Sequence, residues 1–97
     1  MEPHKQTILV VDDEPLIRMH IRQVVEDEGH TAKEASTAEA ALQLLEDDGI
    51  TLLLTDIEMP GAMDGLALAR EVRARWPQIV VVVSSGRYLP RPDEMPS

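Results

Sequence analysis

Three uninterrupted runs of apolar and β-branched residues constrain this chain most: Thr7 to Val11, Ile50 to Thr55 and Ile79 to Val83. None shows the polar alternation of a strand with one wet face, so each reads as a strand buried on both sides, as in a parallel sheet. The segments between them carry the helical period instead. Ile17, Ile21 and Val24 recur at i, i+4 and i+7 between Pro15 and Gly29. Proline suits a first helical turn and glycine a helix stop, so a helix is expected there. Ser36 and Glu39 have capping-box spacing; Ala38, Ala41, Leu42 and Leu45 form one face, and Gly49 closes the helix. Ala69, Val72 and Trp76 make the stripe of a third helix that Pro77 stops. Thr31 to Ala35 is a weaker run, read as the second strand from its position. The order β-α-β-α-β-α-β with short links predicts an α/β fold with one parallel sheet. Beyond the last strand, Pro90, Pro92 and Pro96 exclude a regular helix, and 88–97 reads as an irregular proline-rich tail.

A chain of 97 residues makes one domain, and 43% apolar residues supply an aliphatic core, with only Trp76 and Tyr88 aromatic. The formal charge of −9 repels phosphate backbones and anionic membrane surfaces, so direct binding of nucleic acid or membrane is not expected. No cysteine is present, which removes disulfides, thiolate catalysis and zinc–sulfur sites together. The polar first six residues do not form a signal peptide. The longest apolar run, Ile79 to Val83, is far short of the roughly 20 residues that span a bilayer. A cytoplasmic location is expected.

Ligand crevices of open α/β sheets lie beyond the carboxyl ends of the strands. Polar residues fall there in this chain: Asp12 and Asp13 after the first strand, Asp56 after the third, Ser84 and Ser85 after the fourth. With strand order 2-1-3-4, strands one and three are neighbours and three carboxylates converge. Such carboxylates repel one another unless a cation sits between them, and all-oxygen ligation suits Mg²⁺. A carboxylate beside that ion can also act as a nucleophile towards phosphorus. Each piece has an ordinary reading: acids favour a helix N-terminus, Asp56 can be a turn residue, and a serine is often a solvated strand end. Their coincidence on one edge argues against all three. His4, His20 and His30 show no ligand spacing, Met59 and Met63 suit local packing, and Lys5 and Lys33 fall away from the crevice.

Ile8-Leu9-Val10-Val11-Asp12-Asp13-Glu14-Pro15, Thr55 to Gly65 and Val82-Val83-Ser84-Ser85-Gly86 resemble three motifs of response-regulator receiver domains from two-component signalling. The spacings, 43 residues from Asp13 to Asp56 and 29 from Asp56 to Ser85, also resemble the family, over about residues 7–87. The resemblance implies a flavodoxin-like doubly wound sheet. It implies that Asp56 accepts phosphate from a sensor histidine kinase or phosphotransfer protein. Asp12, Asp13, Asp56 and the Glu58 backbone carbonyl would hold Mg²⁺. Ser85, followed by the small Gly86, would be the switch hydroxyl, and the backbones of Ile57 and Gly86 would meet phosphoryl oxygens. Glu58 and Arg87 would tune dephosphorylation. Such a domain is a signalling switch, not an enzyme beyond promoting its own phosphorylation and dephosphorylation.

The family's Lys-Pro after a fifth strand has no counterpart, since Arg91 is only six residues past Ser85. The fifth strand and last helices are therefore expected to be missing, and 1–97 to be a single receiver domain, incomplete at its C-terminus. Two alternatives follow. One is a receiver-like interaction module that is not phosphorylated and pairs as a homodimer through the fourth-strand edge. The other, a metal-dependent phosphatase, would use Glu58 two residues past the nucleophile but has no room for its cap.

Overall fold

The computed structural model describes residues 5–47, 49–59 and 61–84. His4, Ser85, Gly86, Arg87 and the 88–97 tail, all named above, lie outside the described residues. The elements run β1 (Thr7–Val11), α1 (Pro15–Asp27), β2 (Thr31–Ala35), α2 (Ala38–Asp47), β3 (Leu52–Asp56), α3 (Gly65–Arg75) and β4 (Val80–Ser84). The four strands are parallel in the order β2-β1-β3-β4. The expected fold class and strand order are what the chain adopts. From β1 the chain steps outward to β2, then returns across β1 to build β3 and β4 on the other side. The switch point of the sheet therefore lies between β1 and β3.

Period-two alternation divides the apolar runs between two layers. Leu9, Val11 and Leu53 pack against Ala38, Ala41 and Leu45 of α2 and Leu68 and Val72 of α3. Ile8 and Val10 face the other way and pack with Val25 of α1, with Ile21, Leu52 and Leu54 around them. Every strand of this sheet that is flanked on both faces thus has to be apolar at every position, which is why the β1 and β3 runs show no alternation. On the α1 side, among the described residues, the cover stops short of β4, where Val80 is 57% and Val82 43% exposed.

Four local readings change. The buried stripe of α1 includes Val25 rather than Val24, which is half exposed; the helix presents Ile21 and Val25 one turn apart. The α2 cap is Thr37, whose Oγ1 accepts the Ala40 N–H at 3.1 Å, so Ser36 lies one residue outside and the Ser36–Glu39 box is not formed. The Ile50 to Thr55 run enters the ladder two residues late, although Ile50 is buried in the core. Ile79 belongs to the turn after α3, donating its N–H to the Trp76 carbonyl at 3.0 Å, and β4 starts one residue later. Asp64 caps α3, its Oδ1 accepting the Ala67 N–H at 2.9 Å.

Candidate metal and phosphoryl site

Asp12 follows β1 directly and is held by its own backbone. Its N–H donates to the Ala35 carbonyl of β2 at 3.2 Å. Its Oδ1 accepts the Glu14 N–H at 2.9 Å, a short side-chain turn that aims the carboxylate past the strand end. Asp56 is the last residue of β3 and stands opposite Ser84 in the β3–β4 register. Because β1 and β3 are adjacent, these strand ends bring Asp12, Asp13 and Asp56 together, with one ligand oxygen from each within 4.8 Å of the others. Asp12 and Asp56 are buried, at 3% and 6% exposure.

Burial raises the Asp12 carboxyl above the ordinary aspartate value, and the negative charges of Asp56, Asp13 and Glu14 push the same way; the Glu14 amide opposes them. Buried, mutually repelling carboxylates with only oxygen donors fit a hard divalent cation, with waters filling the remaining shell. Of the groups expected to hold Mg²⁺, the fold brings the Asp12, Asp13 and Asp56 carboxylates together.

The loop after β3 is fixed by glycine. Gly65 N–H donates to the Ile57 carbonyl at 2.9 Å, pulling the start of α3 onto the strand end. A β-carbon at Gly65 would overlap the Asp56 carbonyl oxygen and lie 2.6 Å from its carbonyl carbon and 2.9 Å from Ile57 Cα. Glycine is therefore required by the close approach of two backbones, not by a left-handed turn. Thr55 Oγ1 donates to the Asp56 carbonyl at 3.1 Å from the buried side.

The Ile57 amide, which the resemblance gave to phosphoryl oxygens, donates to the Ser84 carbonyl at 2.8 Å and prolongs the β3–β4 ladder. The amide that faces the Asp56 carboxylate is that of Glu58, whose N–H reaches Asp56 Oδ1 at a long 3.4 Å. The Glu58 side chain is exposed. Ser84 is brought to the strand end beside Asp56, while its neighbour Ser85 and Gly86 lie outside the described residues. His30 has a structural contact, its Nδ1 accepting the Gln6 N–H at 3.0 Å, and Met59 is buried in the core.

Two residues at the site have no role assigned to them by the sequence. Gly65 ends the Thr55 to Gly65 motif, but nothing in the sequence shows why a glycine stands there. Arg18 lies one turn into α1, where its Nη1 donates to the Asp12 carbonyl at 2.8 Å and its Nε to Glu34 Oε1 at 3.0 Å. The spacing of an arginine five residues past Asp13 on a helix was its only signal.

The family model for the response regulator receiver domain matches residues 8–89. The hydrogenase transcriptional regulatory protein HoxA of Cupriavidus necator is 37% identical over 86 residues, which are 89% of this chain and 17% of HoxA. The chain therefore spans about a sixth of the length of such curated relatives. Among solved structures, the response regulator TrrA of Thermotoga maritima in complex with Mg²⁺ and BeF superimposes with a TM-score of 0.77 at 34% identity, over 86% of this chain and 73% of that one. A crystal structure of the histidine kinase ThkA with TrrA gives a TM-score of 0.79 at 34% identity, covering 89% and 73% of the two chains. Among the described residues no helix is long and apolar enough to cross a membrane. With the parallel 2-1-3-4 sheet, three acids at its switch point and a family match over residues 8–89, the chain belongs to the response regulator receiver domain family.

Proposed function

We propose that this domain is a phospho-accepting switch of a two-component system, in which Asp56 takes a phosphoryl group from a histidine kinase. The observation that carries the proposal is the convergence of Asp13 with the buried Asp12 and Asp56 at the switch point of the sheet. Asp12, Asp13 and Asp56, with the Glu58 carbonyl, would hold Mg²⁺. The ion would supply charge neutralisation for the transferring group.

The chain's own residues do the rest. An Asp56 carboxylate oxygen attacks the phosphorus of a phosphohistidine; the new O–P bond forms as the P–N bond breaks, and the imidazole leaves with that electron pair and takes a proton. The Glu58 N–H, already directed at Asp56 Oδ1, is placed to donate to an oxygen at that position. The Gly65 contact and the Thr55 hydroxyl hold the Asp56 main chain still during the transfer. Ser85 is assigned the switch hydroxyl and Gly86 a backbone contact to the phosphoryl group by the family pattern. The domain acts catalytically only on itself. The TrrA relatives support the reading: one is a complex with Mg²⁺ and BeF, another a complex with a histidine kinase.

Incubation with Mg²⁺ and acetyl phosphate, followed by intact mass, tests this. One added phosphoryl group is expected, absent in Asp56→Ala and without Mg²⁺. Equal labelling of Asp56→Ala would refute it.

A second reading rests on Val80 and Val82, apolar and exposed on β4 at the edge of the described sheet. Such an edge is a template for strand pairing with a second copy. Size-exclusion chromatography at rising concentration should then show dimers that Val80→Lys with Val82→Lys abolishes; a wild-type monomer at all concentrations would exclude it.

A further inference from the structure

The turn that carries Asp12 and Asp13 is gripped from α1 by one side chain. Arg18 N–H donates to the Glu14 carbonyl at 2.9 Å, and its guanidinium returns over the helix start to the Asp12 carbonyl at 2.8 Å. Both ends of the Asp12–Glu14 turn are therefore tied to the same residue. The Asp12 N–H is held by Ala35 and its Oδ1 by the Glu14 amide, so Arg18 fixes the remaining main-chain group. The guanidinium is itself aimed. Its Nε meets Glu34 Oε1 at 3.0 Å, and Arg22 Nη1 takes the other oxygen, Oε2, at 2.8 Å. Glu34 Oε1 is thus left to Arg18 alone, whose side chain is 19% exposed. Arginine suits this task because a planar fork serves two acceptors in fixed directions, which the point charge of lysine does not.

We propose that Arg18 is a positioning residue for the cation site: forked between Glu34 and the Asp12 carbonyl, it holds the Asp12–Asp13 turn in the geometry that binds Mg²⁺. This rests on the cation-site reading above. It also opposes simple electrostatics, which makes its sign informative. Removing a positive charge beside a cation site should tighten Mg²⁺ by Coulomb attraction alone. Loss of positioning should weaken it, because partners that orient metal ligands are worth about 10- to 100-fold in affinity.

The test is Mg²⁺ titration by calorimetry on the wild type, Arg18→Ala, Arg18→Lys and Arg22→Ala, with backbone amide NMR of each in EDTA. Arg18→Ala should bind Mg²⁺ about tenfold more weakly. Arg18→Lys should also weaken binding although the charge is kept. Arg22→Ala, which touches Glu34 but not Asp12, should stay within about twofold of wild type. In EDTA the Asp13 and Glu14 amide resonances should move in both Arg18 variants and stay in place in Arg22→Ala. Binding in Arg18→Ala and Arg18→Lys as tight as wild type or tighter, with unmoved Asp13 and Glu14 amides, would overturn the proposal. A wild type that binds no Mg²⁺ would overturn the cation site itself, while the amide shifts would still decide whether Arg18 positions the turn.

Discussion

Gly65→Ala separates a close-approach glycine from an ordinary helical one, because the two readings predict opposite signs. Gly65 opens α3, and replacing a helical glycine by alanine normally stabilises by about 0.5–1 kcal/mol. Here the added methyl meets backbone, the Asp56 carbonyl and Ile57 Cα, and not the movable end of a side chain. Those atoms are fixed by the Ile57–Ser84 ladder bond at 2.8 Å, so α3 must retreat on the order of 1 Å. Overpacking of this kind costs about 1–3 kcal/mol. Weakening the Gly65 N–H bond to Ile57 adds about 1 kcal/mol. After the propensity gain the net loss is about 2 kcal/mol, or on the order of 10 °C in Tm for a domain of this size. Urea unfolding in EDTA measures it without contribution from metal. Because the added methyl presses on the Asp56 main chain, phosphorylation by acetyl phosphate should also slow. A Gly65→Ala protein as stable as wild type, or more so, would refute the steric argument.

Two further predictions concern charge and capping. Burial and the neighbouring acids raise the folded-state carboxyl of Asp12, so its ionised form opposes folding of the metal-free protein; the penalty is present above the folded value and is relieved as pH falls towards the unfolded one. Asp12→Asn should therefore raise Tm in EDTA at pH 7, with the difference shrinking towards pH 4, and should remove the stabilisation that Mg²⁺ gives the wild type. Thermal melts across pH with and without Mg²⁺ check both signs. Asp64→Ala and Thr37→Ala should each cost about 1 kcal/mol by urea unfolding, as losses of the α3 and α2 caps, while Ser36→Ala should cost almost nothing.

The sheet and the acids were legible because both are written in residue type. A run such as Ile8 to Val11 has no polar position, and only a strand covered on both faces tolerates that. Asp12, Asp13 and Asp56 end such runs, so strand order alone brings them together. What stayed hidden depends on distances between backbones. Thr37 and Ser36 are equivalent cap types, and only the helix phase chooses between them. Val24 and Val25 are identical in type, and rotation of α1 over β1 and β2 decides which is buried. The Ile57 amide is committed to Ser84 because β4 pairs one residue further than its apolar run. Arg18 acts through a main-chain carbonyl, a partner every residue possesses, so no sequence pattern marks it.

Asp56, on this reading, is the residue that receives the phosphoryl group. Borohydride reduction after phosphorylation by acetyl phosphate with Mg²⁺ converts an aspartyl phosphate to homoserine, which peptide mass spectrometry then locates. Homoserine at position 56 alone, lost in EDTA, is the predicted result. Homoserine at position 12 or 13 instead, or reduction that leaves position 56 as aspartate in a labelled protein, would contradict it.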